Sequence, residues 1–116
     1  MTPLGVKLRA LREEKRVTMS QMAEALEVTS AYFSALEHGK RGRPTTHRLH
    51  QICAYFEIIW DEADGLRRLA DISHPKVTID TSGLSPEATE LANRLAEQIG
   101  ELSEPKIEAM LETLKR

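Results

Sequence analysis

The chain has 116 residues, 41% hydrophobic and 29% charged, which excludes an intrinsically disordered protein and suits one small domain plus an appendage. A single cysteine, Cys53, excludes an internal disulfide, no apolar run is long enough to span a membrane, and the N-terminus lacks the apolar region of a signal peptide, so a reducing cytoplasm is expected. The net charge of −2 conceals an asymmetry: residues 1–50 hold nine Lys or Arg against five Glu, whereas residues 51–72 and 73–116 each carry a net −3.

Leu4 to Lys15 is predicted as the first helix, with Leu4, Leu8 and Leu11 as its apolar stripe and Lys7, Arg9, Arg12 and Lys15 beside it. Arg16-Val17 leads into the stretch TMSQMAEALEVTSAYFSALE, Thr18 to Glu37, which reads as two short helices joined by a tight turn. Thr18 caps the first of these, and Gln21 completes a Thr-x-x-Gln capping box. Met22, Ala23 and Leu26 recur at helical spacing; Glu27-Val28 breaks the pattern. Thr29 or Ser30 caps the second, whose inner face is Phe33 and Leu36. Ala23 is small enough to sit where two helices cross steeply.

His38 to Pro44 is a basic loop, with Gly39 suited to a left-handed helix end and Pro44 expected to open the next helix at its first turn. Thr45 to Glu57 forms a fourth helix that buries Leu49, Ile52, Cys53 and Phe56, with Cys53 read as a small core hydrophobe. Ile58 to Ile72 continues as a fifth, with Ile59, Ala63, Leu66, Leu69 and Ala70 apolar and Trp60 expected to close the edge of the core. Residues 73–84 form a linker in which Val77-Thr78-Ile79-Asp80 alternates as a short strand would. Residues 85–116 start a new helical segment at Ser85-Pro86-Glu87 and restart at Ser103-Glu104-Pro105. Leu84, Leu91, Leu95, Ile99 and Leu102 make one stripe, and Ile107, Met110, Leu111 and Leu114 another. Two such helices cannot bury their stripes alone, so they pack on the head of the chain or on another chain.

The run MAEAL-V-S-YFSALEHGKR resembles the helix-turn-helix of the Cro/C1-type repressors, the XRE family, with the family's spacing from Thr18 to the Glu37-x-Gly39-Lys40 ending. The likeness covers roughly the first two thirds of the chain. It implies an all-α fold: a five-helix DNA-binding domain over residues 1–72, followed by a C-terminal helical dimerisation segment. It also implies a sequence-specific regulator of transcription that binds double-stranded DNA as a homodimer, acting as a repressor on a pseudo-palindromic operator in a bacterial or phage setting. The DNA-facing set it implies is Ser20, Thr29, Ser30, Ala31, Tyr32, Ser34, Ala35, Lys40, Arg41 and Arg43, the last three as phosphate contacts of the basic loop. Arg12 and Glu37 are implied to pair, bracing the first helix against the third. Dimerisation is expected through Leu91, Leu95, Ile99, Ile107, Leu111 and Leu114. Two positions depart from the family: it usually has Gly at Glu27, and often a phosphate-binding Gln at Met19.

A second reading makes the chain an antitoxin-type protein that holds a partner through residues 85–116 and autoregulates its operon. His38, His47, His50 and His74 form only a loose set, so no metal and no cofactor is expected. The chain offers no glycine-rich phosphate loop and no nucleophile-base-acid set, so an enzyme is not expected.

Overall fold

The computed structural model describes residues 1–115, and Arg116, the last residue of the expected C-terminal segment, lies outside them. The described residues have helices as their only regular elements and divide into two compact units, 1–77 and 78–115. In the first unit, α1 is Pro3–Lys15, α2 Met19–Ala25, α3 Ser30–Glu37, α4 Thr46–Tyr55 and α5 Trp60–Asp71.

Hydroxyl caps start four of these helices. Thr2, Thr18, Thr29 and Thr45 each accept a hydrogen bond from the backbone N–H three residues on, which satisfies one of the four donors that a helix start leaves unpaired. At Thr18 the capping box is complete, with the Gln21 side chain accepting from the Thr18 N–H at 2.8 Å. Pro44 is buried but precedes the Thr45 cap, so the fourth helix opens two residues later than Pro44 suggests.

Four helices also end alike. The residues after α1, α2, α3 and α4 turn left-handed at Arg16, Glu27, Gly39 and Glu57, with φ of 60°, 58°, 73° and 56°. In each case the left-handed residue and its successor donate back to carbonyls of the last turn; after α2, Glu27 N–H reaches Glu24 at 3.1 Å and Val28 N–H reaches Ala23 at 2.9 Å. Only the turn after α3 uses glycine.

The core of this unit joins one stripe from each helix. Leu4, Leu8 and Leu11 of α1 meet Met22 and Ala23 of α2, Phe33 and Leu36 of α3, Leu49 and Ile52 of α4, and Leu66 and Ala70 of α5. Met19 is only partly buried and packs against this cluster, which accounts for a thioether where the family often carries an amide. The expected role of Trp60 is corrected: the indole is 81% exposed, and Ile59 is 66% exposed. Ile59 is extended and Trp60 has a φ of 54°, so the chain between α4 and α5 turns both side chains outward and Ile58 enters the core instead. Ser73 ties the end of α5 to the start of α1. Its buried hydroxyl accepts from Leu4 N–H at 2.9 Å and donates to the Leu69 carbonyl at 2.5 Å.

The second unit contains α6, Pro86–Gln98, a 3₁₀ turn at Ile99–Glu101, and α7, Glu104–Leu114. Ser85 caps α6 by accepting from Ala88 N–H at 3.2 Å. The short strand expected at Val77–Asp80 is corrected, because no strand occurs among the described residues. Asp80 instead closes a local turn by accepting from Ser82 N–H at 2.9 Å, and hydrogen bonding from Ser82 holds its carboxyl below the usual carboxylate range. Leu91, Ile99, Met110, Leu111 and Leu114 are exposed, while Leu95 and Ile107 are half-buried.

Two substitutions probe this frame. Glu27→Gly removes the left-handed strain of a side-chain-bearing residue and should raise the unfolding free energy by about 1 kcal/mol in urea titration. Gly5→Ala should lower it by about 3 kcal/mol, because a Cβ at Gly5 would lie 2.3 Å from the Glu37 carbonyl oxygen and 2.8 Å from its Cα, backbone that cannot move aside.

Candidate nucleic-acid interface

The α2–turn–α3 segment places its inner and outer faces by helical spacing. Phe33, Leu36 and Glu37 are buried, so Ser30, Ala31, Ser34 and Ala35 fall on the other side of α3; Ser30 and Ala31 are exposed, Ser34 and Ala35 half-buried. Thr29 lies at the start of this face and caps α3 through its hydroxyl, 3.1 Å from Tyr32 N. Ser20 on α2 reaches across to Ser30, hydroxyl to hydroxyl at 3.2 Å, so the two helix starts meet at an exposed polar point. A surface of small side chains lets a wide partner approach the α3 backbone closely. Hydroxyls can donate to or accept from it, and methyl groups can touch its apolar parts.

Glu37 fixes where this surface sits. Its side chain is fully buried, and Arg12 Nη2 donates to both carboxylate oxygens, at 3.0 and 2.8 Å. Arg9, half exposed, adds a longer ion pair at 3.8 Å. The backbone carbonyl of the same residue accepts from Thr2 N–H at 3.0 Å, and Gly5 lies against it. One residue at the end of α3 therefore meets α1 through both its main chain and its side chain.

The basic loop after α3 does not present its cations alike. Lys40 and Arg41 are exposed. Arg43 is drawn toward α5: its Nε donates to Asp71 Oδ1 at 2.6 Å, and its Nη1 to the Pro44 carbonyl at 3.1 Å. Arg41 folds back over Tyr32, its Cζ 4.8 Å from the ring centroid. Tyr32 is half-buried, and its ring meets Phe33 edge-on with centroids 5.2 Å apart.

Arg48, a residue that sequence periodicity left unmarked, also lies over the Tyr32 ring, at 5.4 Å. It donates to the Leu26 carbonyl at 3.3 Å and to Gln51 Oε1 at 2.8 Å, linking α4 to the turn before α3. Arg48 flanks the Leu49 and Ile52 stripe, and Gln51 is a neighbour one helical turn on, but Leu26 and Tyr32 lie far off in sequence and no local pattern points to them. No group of three or more His, Cys, Asp or Glu side chains able to hold a metal gathers among the described residues. Burial pushes the Cys53 thiol up from its usual pKa, against the opposing charge of Arg67, which disfavours the thiolate at neutral pH. No helix of the described residues is long and apolar enough to cross a membrane.

Comparison with known proteins agrees with this geometry. The family described as a helix-turn-helix domain matches residues 3–64, more than half of the chain. The chain is 36% identical over 61 residues to the HTH-type transcriptional repressor RghR of Bacillus subtilis, covering 53% of this chain and 45% of that protein. It is 33% identical over 61 residues to the uncharacterized HTH-type transcriptional regulator RghRB of the same organism, covering 53% of this chain and 44% of that protein. The matched stretch thus spans less than half the length of either relative. No solved structure matches the chain significantly.

The Arg12–Glu37 pair sets up a test of the frame behind this surface. Arg12→Met leaves a buried carboxylate without its partner and should destabilise the first unit by about 3–5 kcal/mol, whereas Arg12→Met combined with Glu37→Leu should recover most of that loss. Thermal or urea unfolding of the two variants decides it.

Proposed function

The chain belongs to the helix-turn-helix domain family, and from that premise we propose that it is a sequence-specific, double-stranded-DNA-binding regulator of transcription that acts as a dimeric repressor. The observation that carries this reading is the exposed face of α3, small and polar, on a helix anchored from behind by a buried ion pair. In this reading α3 enters the major groove. Ser30 and Ser34 contact base edges and Ala31 and Ala35 touch thymine methyl groups, while Ser20, Thr29 and Lys40 hold the phosphate backbone that fixes register. Arg43, tied to Asp71, lends the loop its position and contributes less net charge to a phosphate than a free cation would.

Repression is supported by the printed role of one relative, the repressor RghR. Dimerisation is supported by the second unit, where Leu91, Ile99, Leu111 and Leu114 are exposed and apolar, a combination that isolated helices do not keep in water. Two heads joined through this unit would bind half-sites about one helical turn apart on a pseudo-palindromic operator. Linking them gives the second half-site an effective concentration in about the millimolar range, with no new DNA contact needed.

Selection of bound duplexes from a random pool tests DNA recognition directly and should return one pseudo-palindromic sequence. A chain ending at Val77, the boundary of the first compact unit, should remain folded, sediment as a monomer and bind that operator about 100-fold or more weakly. A truncated chain that stays dimeric would move the dimer contact to the first unit. A full chain that is monomeric would direct the second unit to a different protein partner.

A further inference from the structure

Resting on the DNA-binding reading above, we propose that Arg41 is a specificity-determining residue, whose guanidinium, held over the Tyr32 ring, reads a guanine edge in the major groove. The outward face of α3 carries Ser, Ala and the half-buried Tyr32, and none of them offers the paired donors that recognise the two acceptors of guanine, N7 and O6. The fork must come from elsewhere if the interface is to read G·C pairs strongly.

Besides Arg9 and Arg12, which serve the buried Glu37, three guanidinium groups belong to the loop after α3 and to α4, and their partners separate them. Arg43 is engaged by Asp71 and the Pro44 carbonyl. Arg48 is engaged by the Leu26 carbonyl and Gln51. Arg41 is exposed and has no hydrogen bond or ion pair among the described residues, although its Cζ lies 4.8 Å from the Tyr32 centroid. With no acceptor engaged among the described residues, its N–H donors remain available to a ligand.

The position favours a base over a phosphate. Tyr32 is a residue of α3, adjacent to Ala31 and three residues before Ala35. Its ring carries Arg41 back from the loop onto the helix that enters the groove, whereas Lys40, one residue earlier, stays exposed in the loop. Arg48 over the same ring adds a second positive charge, and no carboxylate is among its bonding partners. That combined field suits the acceptor-rich edge of guanine. The contact with the ring also removes rotamer freedom before DNA arrives, so less ordering remains to be done on binding.

The test uses the full chain and its Arg41→Gln, Tyr32→Phe, Tyr32→Leu and Lys40→Gln variants. Each is taken through selection from a random duplex pool and then through titrations against duplexes varied one base pair at a time. The wild-type chain should require G·C at one position in each half-site. Arg41→Gln should lower discrimination at that position about 10- to 100-fold and leave the other positions intact. Tyr32→Phe, which keeps the ring, should retain the preference; Tyr32→Leu should lose it at the same position. Lys40→Gln should weaken all duplexes alike and reduce the salt slope by about one.

If Arg41→Gln weakens all duplexes uniformly with the same drop in salt slope, Arg41 is a phosphate contact and the proposal fails. If Arg41→Gln selects the wild-type operator at wild-type affinity, Arg41 lies outside the interface and the proposal fails alone. A wild-type chain that selects no sequence removes the DNA-binding reading itself, and this inference with it.

Discussion

A carboxylate with no exposure to solvent, at the last residue of a helix, is an unfavourable thing to build. Burial removes its hydration, and the negative end of the α3 dipole adds repulsion. Glu37 is tolerable there because Arg12 meets both of its oxygens, and that requirement propagates. Arg12 must project from α1 at that point, so α1 must cross α3 where Gly5 lets the two backbones meet and where Thr2 can donate to the Glu37 carbonyl. The pair adds little net stability over a well-packed apolar alternative. What it supplies is a single permitted arrangement of the two helices, since any other leaves two charges without partners. The exposed face of α3 takes its orientation from that arrangement.

Around this junction the unit relies on short links at helix ends. Hydroxyl caps begin α1 to α4, left-handed residues finish the same four, and Ser73 closes the circuit by linking α5 to α1. Such links fix the angles at which helices leave one another, and the core of Leu, Ile, Phe and Met then fills the space between. Three of the four left-handed ends carry Arg or Glu, so the unit holds some local strain that tertiary packing overrides.

What could be read from the residues alone follows the range of the interaction. The helices of the first unit, the Thr18–Gln21 capping box and the left-handed Gly39 depend on neighbours three to five residues away, and they are plain in the sequence. Arg48 with Leu26, Arg43 with Asp71 and Ser73 with Leu4 join residues far apart in the chain, the last pair 69 positions apart, and no local pattern announces them. Trp60 was misplaced for a related reason. Apolar periodicity assumes an unbroken helix, and the extended Ile59 followed by a left-handed Trp60 turns the register outward. The basic loop read as three equivalent cations, yet its residues differ by what each one meets: a carboxylate for Arg43, an aromatic ring for Arg41, solvent for Lys40.

The outward Trp60 also governs how this protein can be followed by light. It is the chain's only tryptophan, and its indole is nearly as wet in the folded head as in a denatured chain. Its emission colour therefore barely changes when the core melts, so indole fluorescence is a poor thermometer for folding. Tyr32 and Tyr55 are half-buried, each with a cation over its ring, and they are the chromophores whose surroundings are dismantled on unfolding.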